Sequence, residues 1–436
     1  MAQRSSEGKP RKGKGKVREK ANKEPSLLAL VASTVGSLSA SRQSAFLEEM
    51  DDLVETFREL LDGKIKKVSL NHAAAWASLN GKAVGFVDGG VANLQGIGAA
   101  PVAIRVGTYV VRPGISGPSR ERFTFTQHLI GELFHTRFDE EDSEAVFDEP
   151  SEMETKMRDA ARMITEASGT LRLVEKQPDL SLVFVHGPLV NPVAPYADIP
   201  SLSKEAVERL TDEKGSDKED DRHFIAVYKG ILDRLKDTGV PMAGIIERSS
   251  SKSLMNSILG QHESSMRPEE VGDIKTRLKE FGINDALLFS FLLEAGEYLE
   301  FQPIDKNLRA KAPEKWEDMI VSYPHPLTTI LKATQTSFPF RVETWPKTPK
   351  ATTEELLRVT YHMARLLPRY AFPVGIDIAD KFAKFPAWLS NQLSREMAAT
   401  LLRKALETGD PETIRQVQML LSSRSRDWFF RPSWSE

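Results

Sequence analysis

Two short apolar runs separated by helix-forming stretches constrain the fold of this chain most strongly. The run LSLVFV occupies residues 180–185 between a proline and the sequence HGP, and PMAGIIER at residues 241–248 has the same character. Uninterrupted apolar runs of this length are typical of strands that are buried on both faces. Residues 151–176 and 224–235 have helical patterns and precede these two runs. Strand and helix therefore alternate along the chain, which predicts an α/β core.

A segment punctuated by glycine, from Lys82 to Arg112, predicts the first strands of a sheet. It contains AVGFVDGG and GIGAAPVAIRVGTYVV, short β-rich runs that favour a hairpin or a meander. A helix is predicted from Ser251. Later core segments are predicted at residues 286–293, 298–304 and 338–345, and closing helices around residues 352–367, 377–385 and 389–421. We find no internal repeat.

The two ends of the chain differ in composition from its middle. Residues 1–25 mix Lys and Arg with Gly, Pro and Ser, which is typical of a disordered arm that serves either as a solubilising tail or as a phosphate-contacting arm. The next residues have helical spacing up to a stop at Gly63. We therefore predict a basic arm (1–25), a helical segment (26–63), an α/β domain (64–388) with a charged surface loop (211–223), and a C-terminal helical extension (389–436).

The composition narrows the chemistry that is available to the chain. A formal net charge of -3 from 59 basic and 62 acidic residues means that any basic surface is local. The absence of cysteine excludes disulfides, zinc–thiolate sites and cysteine nucleophiles, so a metal would have to be held by oxygen and imidazole. The phosphate-loop, H-E-x-x-H and G-x-S-x-G patterns are missing, which argues against ATP hydrolysis by the chain itself. With neither a signal core nor a membrane-spanning run, we expect a cytoplasmic protein.

An acidic residue at the end of an apolar run is the first candidate functional residue. Asp88 ends the sequence VGFVD and is followed by two glycines. A carboxylate just past a buried strand is held rigidly at the rim of a sheet, and glycines let a backbone or a phosphate approach closely. Asp-Gly is also the commonest hairpin signal, so a turn is the alternative interpretation.

Further positions carry side chains that bind metals. His186 ends the run at residues 180–185, and imidazole is a ligand for metals such as manganese, although a structural histidine is the alternative. Glu166 lies on a helix face that also carries apolar residues, where a surface salt bridge is the alternative to an unfavourable burial. Asp377 and Asp380 are one helical turn apart, so they project to one side and need either a cation or exposure to solvent.

Several of these motifs resemble those of the NurA nucleases, which are partners of HerA-type hexameric DNA translocases. The resemblance runs from about residue 83 to about residue 385. FVDGG resembles the first motif of the family and matches its metal-binding aspartate at Asp88. ARMITEASGTLRLVE is similar to the helix that carries an essential glutamate, best placed at Glu166, with Glu152 and Glu154 as alternative registers. LVFVHGPLV resembles a strand that ends in Asp-Gly-Ser or Asp-Gly-Pro, so His186 stands where the family has aspartate.

The later motifs resemble the family as well. GIIERSSS resembles a strand that carries a basic residue near its end, and Arg248 is the nearest match. FRVETW resembles the following strand. YAFPVGIDIADKFAKF is similar to the closing Tyr-Pro-x-Pro-Leu segment and places Tyr370 and Asp380 at functional positions, with Asp377 as an alternate. Here Ala371 stands where proline is usual. Members carry aspartate after the strand and histidine near the end, and this chain has His186 and Asp380, so the exchange preserves the ligand inventory if both positions share one metal site.

The resemblance implies a fold, an activity and partners. The fold would be an RNase H-like core with a mixed central sheet. Asp88, Glu166, His186 and Asp380 would hold manganese or magnesium ions for phosphodiester hydrolysis, and Tyr370 would position a phosphate or the water. Basic residues near the site, Arg248 and Arg105, would contact phosphates without reading sequence.

The implied reaction is exonuclease cleavage from the five-prime end together with single-strand endonuclease activity. It would serve end resection, DNA repair or defence against foreign DNA. The implied assembly is a homodimer that docks on a HerA-like hexameric ATPase and binds no membrane. Two alternatives remain: a catalytically degenerate NurA-like subunit that binds DNA or caps a translocase, and a DNA-binding scaffold unrelated to nucleases.

Overall fold

The computed structural model describes residues 46–93, 102–130, 133, 152–247, 249–304 and 313–423. The chain divides into two units, Met1–Asp52 and Leu53–Glu436. The described residues of the first unit, 46–52, are helical. The sheet, its covering helices and the candidate site all belong to the second unit. The basic arm predicted at residues 1–25 lies outside the described residues.

The described elements alternate between strands and helices. The strands are β1 (Ile65–Lys67), β2 (Ala83–Asn93), β3 (Val102–Val111), β4 (Glu121–Ile130), β5 (Leu180–His186), β6 (Met242–Ile246), β7 (Glu297–Leu299), β8 (Gln302–Pro303), β9 (Leu327–Leu331) and β10 (Phe340–Thr344). The helices are α1 (residues 46–60), α2 (His72–Ala77), α3 (Glu152–Lys176), α4 (Lys204–Thr211), α5 (Phe224–Asp237), α6 (Ser253–His262), α7 (Pro268–Glu280), α8 (Asp285–Leu292), α9 (Glu314–Val321), α10 (Lys350–Ala364), α11 (Val374–Ala383), α12 (Ala387–Thr408) and α13 (Pro411–Ser423).

One mixed sheet of ten strands joins all the described strands. Its order is β1-β7-β9-β10-β6-β5-β2-β3-β4, and β8 pairs with β9. β2, β3 and β4 form an antiparallel meander, whereas β5 runs parallel to β2 and β6 runs parallel to β5. α3 makes the crossover from β4 to β5. An antiparallel meander joined to parallel strands in this order is the RNase H-like core with a mixed central sheet, so that prediction is confirmed.

Two apolar layers cover the two faces of the sheet. On one face, α3 and α5 pack their apolar residues, such as Ile164 and Leu232, against Val87 and Val183. On the other face, α10 and α11 pack against an aromatic row that crosses the strands. Full burial of each large apolar side chain contributes roughly 1.5–3 kcal/mol, so these layers hold the helices to the sheet. The ring centroids in the row are 5.4, 5.6 and 4.7 Å apart along Phe184, Phe86, Tyr109 and Phe123.

Glycines let α11 lie unusually close to the sheet. A Cβ atom on Gly90 would stand 2.2 Å from the carbonyl oxygen of Ala383, and one on Gly107 would stand 2.8 Å from that of Ala379. In return, Gly375 on α11 leaves room for the ring of Phe86, which lies 2.4 Å from where its Cβ would be. The backbone of α11 therefore rests directly on β2 and β3, which determines where its acidic side chains stand.

The structure corrects several details of the sequence interpretation. β2 does not end at Asp88 but continues to Asn93, paired with β3 throughout, so the Asp-Gly sequence is not a turn. β4 was not predicted at all. The helical region 389–421 is two helices, because Gly409 takes a left-handed conformation (φ 66°) and ends α12. The ends of the charged loop, Thr211 and His223, are buried. Among the described residues, no helix combines the length and apolarity that a membrane span requires.

Candidate metal centre

Two of the candidate residues meet at the edge where β2 and β5 part. The parallel pairing of these strands reaches Val87 opposite Val185, so Asp88 and His186 are the next residues on each strand. The Nδ1 atom of His186 lies 3.0 Å from a carboxylate oxygen of Asp88 in a hydrogen bond. Because the two strands run parallel and in register up to this pair, the residues that follow on each strand lie side by side, although they are 98 positions apart in the sequence.

Asp380 joins this pair from α11. The ligand atoms of Asp88, His186 and Asp380 all lie within 4.8 Å of one another. The close approach of α11 to Gly90 and Gly107 brings Asp380 to this point. Asp377, the alternate register, instead pairs with Lys381 at 2.6 Å and accepts a hydrogen bond from Tyr370. The two positions at which this chain departs from the family pattern, His186 and Asp380, therefore lie in one cluster.

Glu166 approaches from the opposite face of the sheet. It lies on α3, and its side chain passes Gly89, the residue after Asp88, where a Cβ atom would stand 2.2 Å from its Cγ. Its carboxylate accepts a hydrogen bond from Arg162 at 2.7 Å. Arg162 is itself held by Asp159, with nitrogen–oxygen distances of 2.6 and 3.0 Å. Glu166 is therefore beside the group of three ligands but not a member of it.

The alternative registers on α3 are far from this cluster. Glu152 and Glu154 lie in the first turn of α3 and pair with Lys156 and Arg158. At 1.5 Å per residue, Glu154 is about 18 Å from Glu166 along the helix axis. The glutamate that accompanies the cluster is Glu166.

The electrostatics of the cluster are dominated by burial. Burial raises the pKa of Asp88, and the hydrogen bond from His186 offsets only part of this. Burial alone would lower the pKa of His186, but the hydrogen bond and charge of Asp88 outweigh it, and the net shift is upward. Burial raises the pKa of Glu166 to about 7, although Arg162 acts in the opposite direction. Asp88, Glu166 and His186 thus stand where burial disfavours their charged forms.

This donor set fits a divalent cation. Two carboxylates and one imidazole are ligands that manganese accepts, and carboxylates alone suit magnesium. A cation among them would favour the charged form of Asp88, whose pKa is raised by burial and also by the charge of Asp380. The hydrogen bond between His186 and Asp88 holds these two side chains together, and a ligand atom of each lies within 4.8 Å of one of Asp380. The arrangement can therefore hold a metal ion at the edge of the sheet.

The other predicted site residues, Tyr370, Arg105 and Arg248, are not among the three clustered ligand residues. Tyr370 is partly exposed, donates to Asp377, and has its pKa raised to about 12, mainly by burial and then by nearby Glu247 and aspartates. The guanidinium of Arg105 lies over the rings of Phe125 and Phe385, and Arg105 is not one of the three clustered ligand residues. Arg248 lies outside the described residues.

Sequence reasoning missed two residues beside the cluster. Arg162 belongs to the quoted helix motif, but its hydrogen bond to Glu166 at 2.7 Å was not foreseen. Glu247 directly follows β6, and its charge raises the pKa of both His186 and Tyr370. Both could have been found from position: Arg162 is one helical turn before Glu166, and Glu247 ends the strand parallel to β5.

An α/β protein with an RNase H-like core and an edge cluster of carboxylates and imidazole is thus the class that the structure defines. No family model matches the sequence, and no curated protein matches it. Among solved structures, the chain is similar to the NurA nuclease from Sulfolobus solfataricus, with 10% identity and a TM-score of 0.42 over 85% of this chain and 99% of that one.

Two further solved structures are similar over most of their length. A NurA structure bound to dAMP and manganese has 12% identity and a TM-score of 0.41, covering 79% of this chain and 92% of that one. The catalytic domain of human endonuclease V has 13% identity and a TM-score of 0.30, covering 77% and 95%. The structures similar to this chain thus include the family whose motifs its sequence resembles. At this level of identity the likeness does not extend to activity or substrate, which depend on the site itself.

Proposed function

We propose that this protein is a metal-dependent DNA nuclease of the NurA type. The observation that carries the proposal is the convergence of Asp88, His186 and Asp380 within 4.8 Å at the edge of an RNase H-like core, with Glu166 on the other side of Gly89. These residues come from β2, β5, α11 and α3, so only the fold brings them together. A buried cluster with perturbed pKa values is characteristic of a catalytic site.

Each residue of the cluster has a distinct role in this proposal. Asp88, His186 and Asp380 hold a divalent ion, manganese or magnesium. Such an ion, when bound, supplies Lewis-acid polarisation of the scissile phosphate and stabilises the charge of the transition state. Glu166, with a pKa of about 7, takes up the proton of the attacking water or contributes a further ligand. Tyr370 remains a neutral phenol at neutral pH and donates a hydrogen bond to a phosphate oxygen.

The finer features of the proposed function rest on the sequence resemblance. They are exonuclease cleavage from the five-prime end, single-strand endonuclease activity, and work with a HerA-like hexameric ATPase in DNA end processing or in defence against foreign DNA. A homodimer belongs to the same proposal. The sequence motifs between Asp88 and Asp380 support these features, because three of their residues, Asp88, His186 and Asp380, come together in the folded chain.

Cleavage of end-labelled single- and double-stranded DNA tests the proposal. The reactions contain manganese, magnesium or EDTA, with and without a HerA-like partner. Wild type is compared with Asp88→Asn and with Asp179→Asn, which makes the same chemical change at the opposite, exposed end of β5. We expect metal-dependent cutting by wild type and by Asp179→Asn, and loss of cutting in Asp88→Asn.

Two other outcomes would contradict this function. Cutting in EDTA, or undiminished cutting by Asp88→Asn, would remove the cluster from the reaction. No cutting under any condition, together with retained binding of DNA or of the partner, would indicate the catalytically degenerate subunit. The substitution of His186 for the family aspartate is the observation that favours that second candidate.

A further inference from the structure

An exposed aromatic ring backed by a stacked arginine lies on β4, close to the candidate metal centre. We propose that Phe125 and Arg105 form a stacking platform for an unpaired base of a single-stranded nucleic acid. The platform would hold the base while a neighbouring phosphate reaches the cluster of Asp88, His186 and Asp380. This inference rests on the proposed nuclease function, because it assigns a substrate subsite to that same site.

The platform consists of one arginine in contact with two aromatic rings. The guanidinium carbon of Arg105 lies 4.7 Å from the ring centroid of Phe385 and 5.1 Å from that of Phe125. The guanidinium donates to the carbonyl oxygen of Lys384 at 3.3 Å. With the Gln127 amide turned so that its oxygen faces the guanidinium, that oxygen accepts from Nε of Arg105 at 2.9 Å. Arg105 is therefore held in place against the rings of both Phe385 and Phe125.

The ring of Phe125 is available for another layer. β4 is the outermost strand on this side of the described sheet, so no described strand follows it. Phe125 is 55% exposed, and the aromatic or cationic contact found for its ring is the one with Arg105. Its neighbour Phe123 differs, because its ring stacks on both Tyr109 and Phe382 at 4.7 and 4.9 Å. Of the two phenylalanines on β4, Phe125 is therefore the one whose ring is open to a further stacking partner.

The platform is connected to the metal centre through contacts of the chain. Asp88 on β2 pairs with Gly107 on β3, which pairs with Phe125 on β4. The side chains of Asp88 and Phe125 therefore lie on the same face of the sheet. Strands about 4.8 Å apart place the Cα atoms of Asp88 and Phe125 about 10 Å from each other. Lys384 connects the platform to the metal centre. Its carbonyl oxygen accepts a hydrogen bond from Arg105, and its ammonium group pairs with Asp380.

The chemistry of this surface favours a nucleic acid over a protein partner. Bases stack on exposed aromatic rings whatever their sequence, and cations beside the rings attract the phosphates. Here the exposed ammonium groups of Lys381 and Lys384 pair with Asp377 and Asp380 on α11, the helix that packs on this face of the sheet. A duplex keeps its bases stacked within the helix, so the platform recognises a strand with at least one unpaired base.

Binding of labelled oligothymidylate in EDTA tests the platform without cleavage. Wild type is compared with Phe125→Ala, with Phe125→Trp, and with Phe291→Ala, which removes a ring that is 44% exposed on α8, near β9 at the other side of the sheet. Stacking of one base predicts that Phe125→Ala weakens binding by about fivefold or more. We expect Phe125→Trp and Phe291→Ala to bind as wild type does. A duplex without unpaired ends should show no such difference.

The outcomes separate this inference from the nuclease function. Equal binding by Phe125→Ala and Phe291→Ala would overturn the platform, whatever Asp88→Asn does to cleavage. Weaker binding by Phe125→Ala in a protein that cuts no DNA would keep the platform and remove the nuclease. A lower molecular mass of Phe125→Ala in light scattering, with unchanged binding, would make the surface a contact between copies of the chain and would also overturn the platform.

Discussion

The side chain of Glu166 crosses β2 at Gly89, one of the positions where that strand has no side chain. A Cβ atom on Gly89 would stand 2.2 Å from the Cγ of Glu166 and 2.5 Å from its carboxylate oxygen. Such distances do not occur between a real Cβ and its neighbours, so a side chain at residue 89 and Glu166 in its present place exclude each other. Gly89 therefore determines the position of an acid that approaches from another element.

We expect Gly89→Ala to displace Glu166 without removing any acidic group. A misplacement of about 1 Å at a catalytic centre lowers the rate by about a hundredfold, and overpacking lowers the free energy of unfolding by about 1–3 kcal/mol. Cleavage rates and urea unfolding measure the two effects. The matched control is Gly230→Ala on α5, where an added Cβ meets no atom within 4 Å. Full cleavage by Gly89→Ala would show that Glu166 need not stand where it does.

The pKa of Glu166 predicts a pH dependence of stability. Burial raises this pKa from 4.5 to about 7 in the folded protein. Between these values the folded protein holds a proton that the unfolded chain releases, so the free energy of unfolding falls as the pH rises through this range. Glu166→Gln removes the ionisation. In EDTA we expect this variant to be more stable than wild type by about 1–3 kcal/mol near pH 8 and similar to it near pH 4.5.

Urea unfolding at several pH values checks this prediction. Glu154→Gln is the matched control, because this glutamate also accepts from an arginine one turn along α3 and lies away from the cluster. The compared quantity is the difference in free energy of unfolding between wild type and Glu166→Gln. The same difference near pH 4.5 and near pH 8 would contradict the raised pKa.

Divalent ions are expected to stabilise the folded protein through the cluster. An ion at about one hundred times its dissociation constant adds about 2.7 kcal/mol to the free energy of unfolding. Asp88→Asn and Asp380→Asn should lose most of this gain, whereas Asp179→Asn should keep it. His186→Asp should also keep it, because an aspartate restores a ligand at that place. Thermal unfolding with manganese and with EDTA provides the measurement, and an equal gain in Asp88→Asn would place the bound ion elsewhere.

The backbone conformation of Ala371 is incompatible with the proline that the family motif usually has at this position. Its backbone has a φ angle of 53°, and its N–H donates to the carbonyl oxygen of Leu367 at 2.8 Å. Proline holds φ near −65° and has no N–H, so Ala371→Pro should lower the free energy of unfolding by about 3 kcal/mol or more. Glycine adopts positive φ freely, so Ala371→Gly should fold as well as wild type. Urea unfolding of the two variants compares them, and a stable proline variant would refute the left-handed conformation.

The sequence predicted the core elements well where local signals were strong. The buried runs at residues 180–185 and 241–248 are β5 and β6, and the long helical pattern at residues 151–176 is α3. The two buried strands are continuously apolar, and the helix has apolar residues every three or four positions, so the pattern of residue types indicates each element directly. The edge strand β4 leaves less trace, because most of its residues are exposed. Its sequence ERFTFTQHLI alternates in a way that could have been interpreted as a strand.

The candidate site was predictable as a set of positions but not as an arrangement. Asp88 and His186 follow from the ends of apolar runs. The choice of Asp380 over Asp377 does not, because both lie on the same turn of one helix and each is followed four residues later by a lysine. The glycines on β2 and β3 decide it by setting how closely α11 approaches.

The sequence by itself determined the alternation of strand and helix, the apolar runs and the residue types of the cluster, because these depend on neighbours within a few positions. Only the tertiary structure decided that β2 continues past Asp88, that Glu166 passes over Gly89, and that Asp380 rather than Asp377 meets His186. These relationships join residues 19 positions apart for Asp88 and Gly107, 77 for Gly89 and Glu166, and 194 for His186 and Asp380. They depend on distances between packed backbones, where one absent Cβ allows or forbids an approach of a few ångströms.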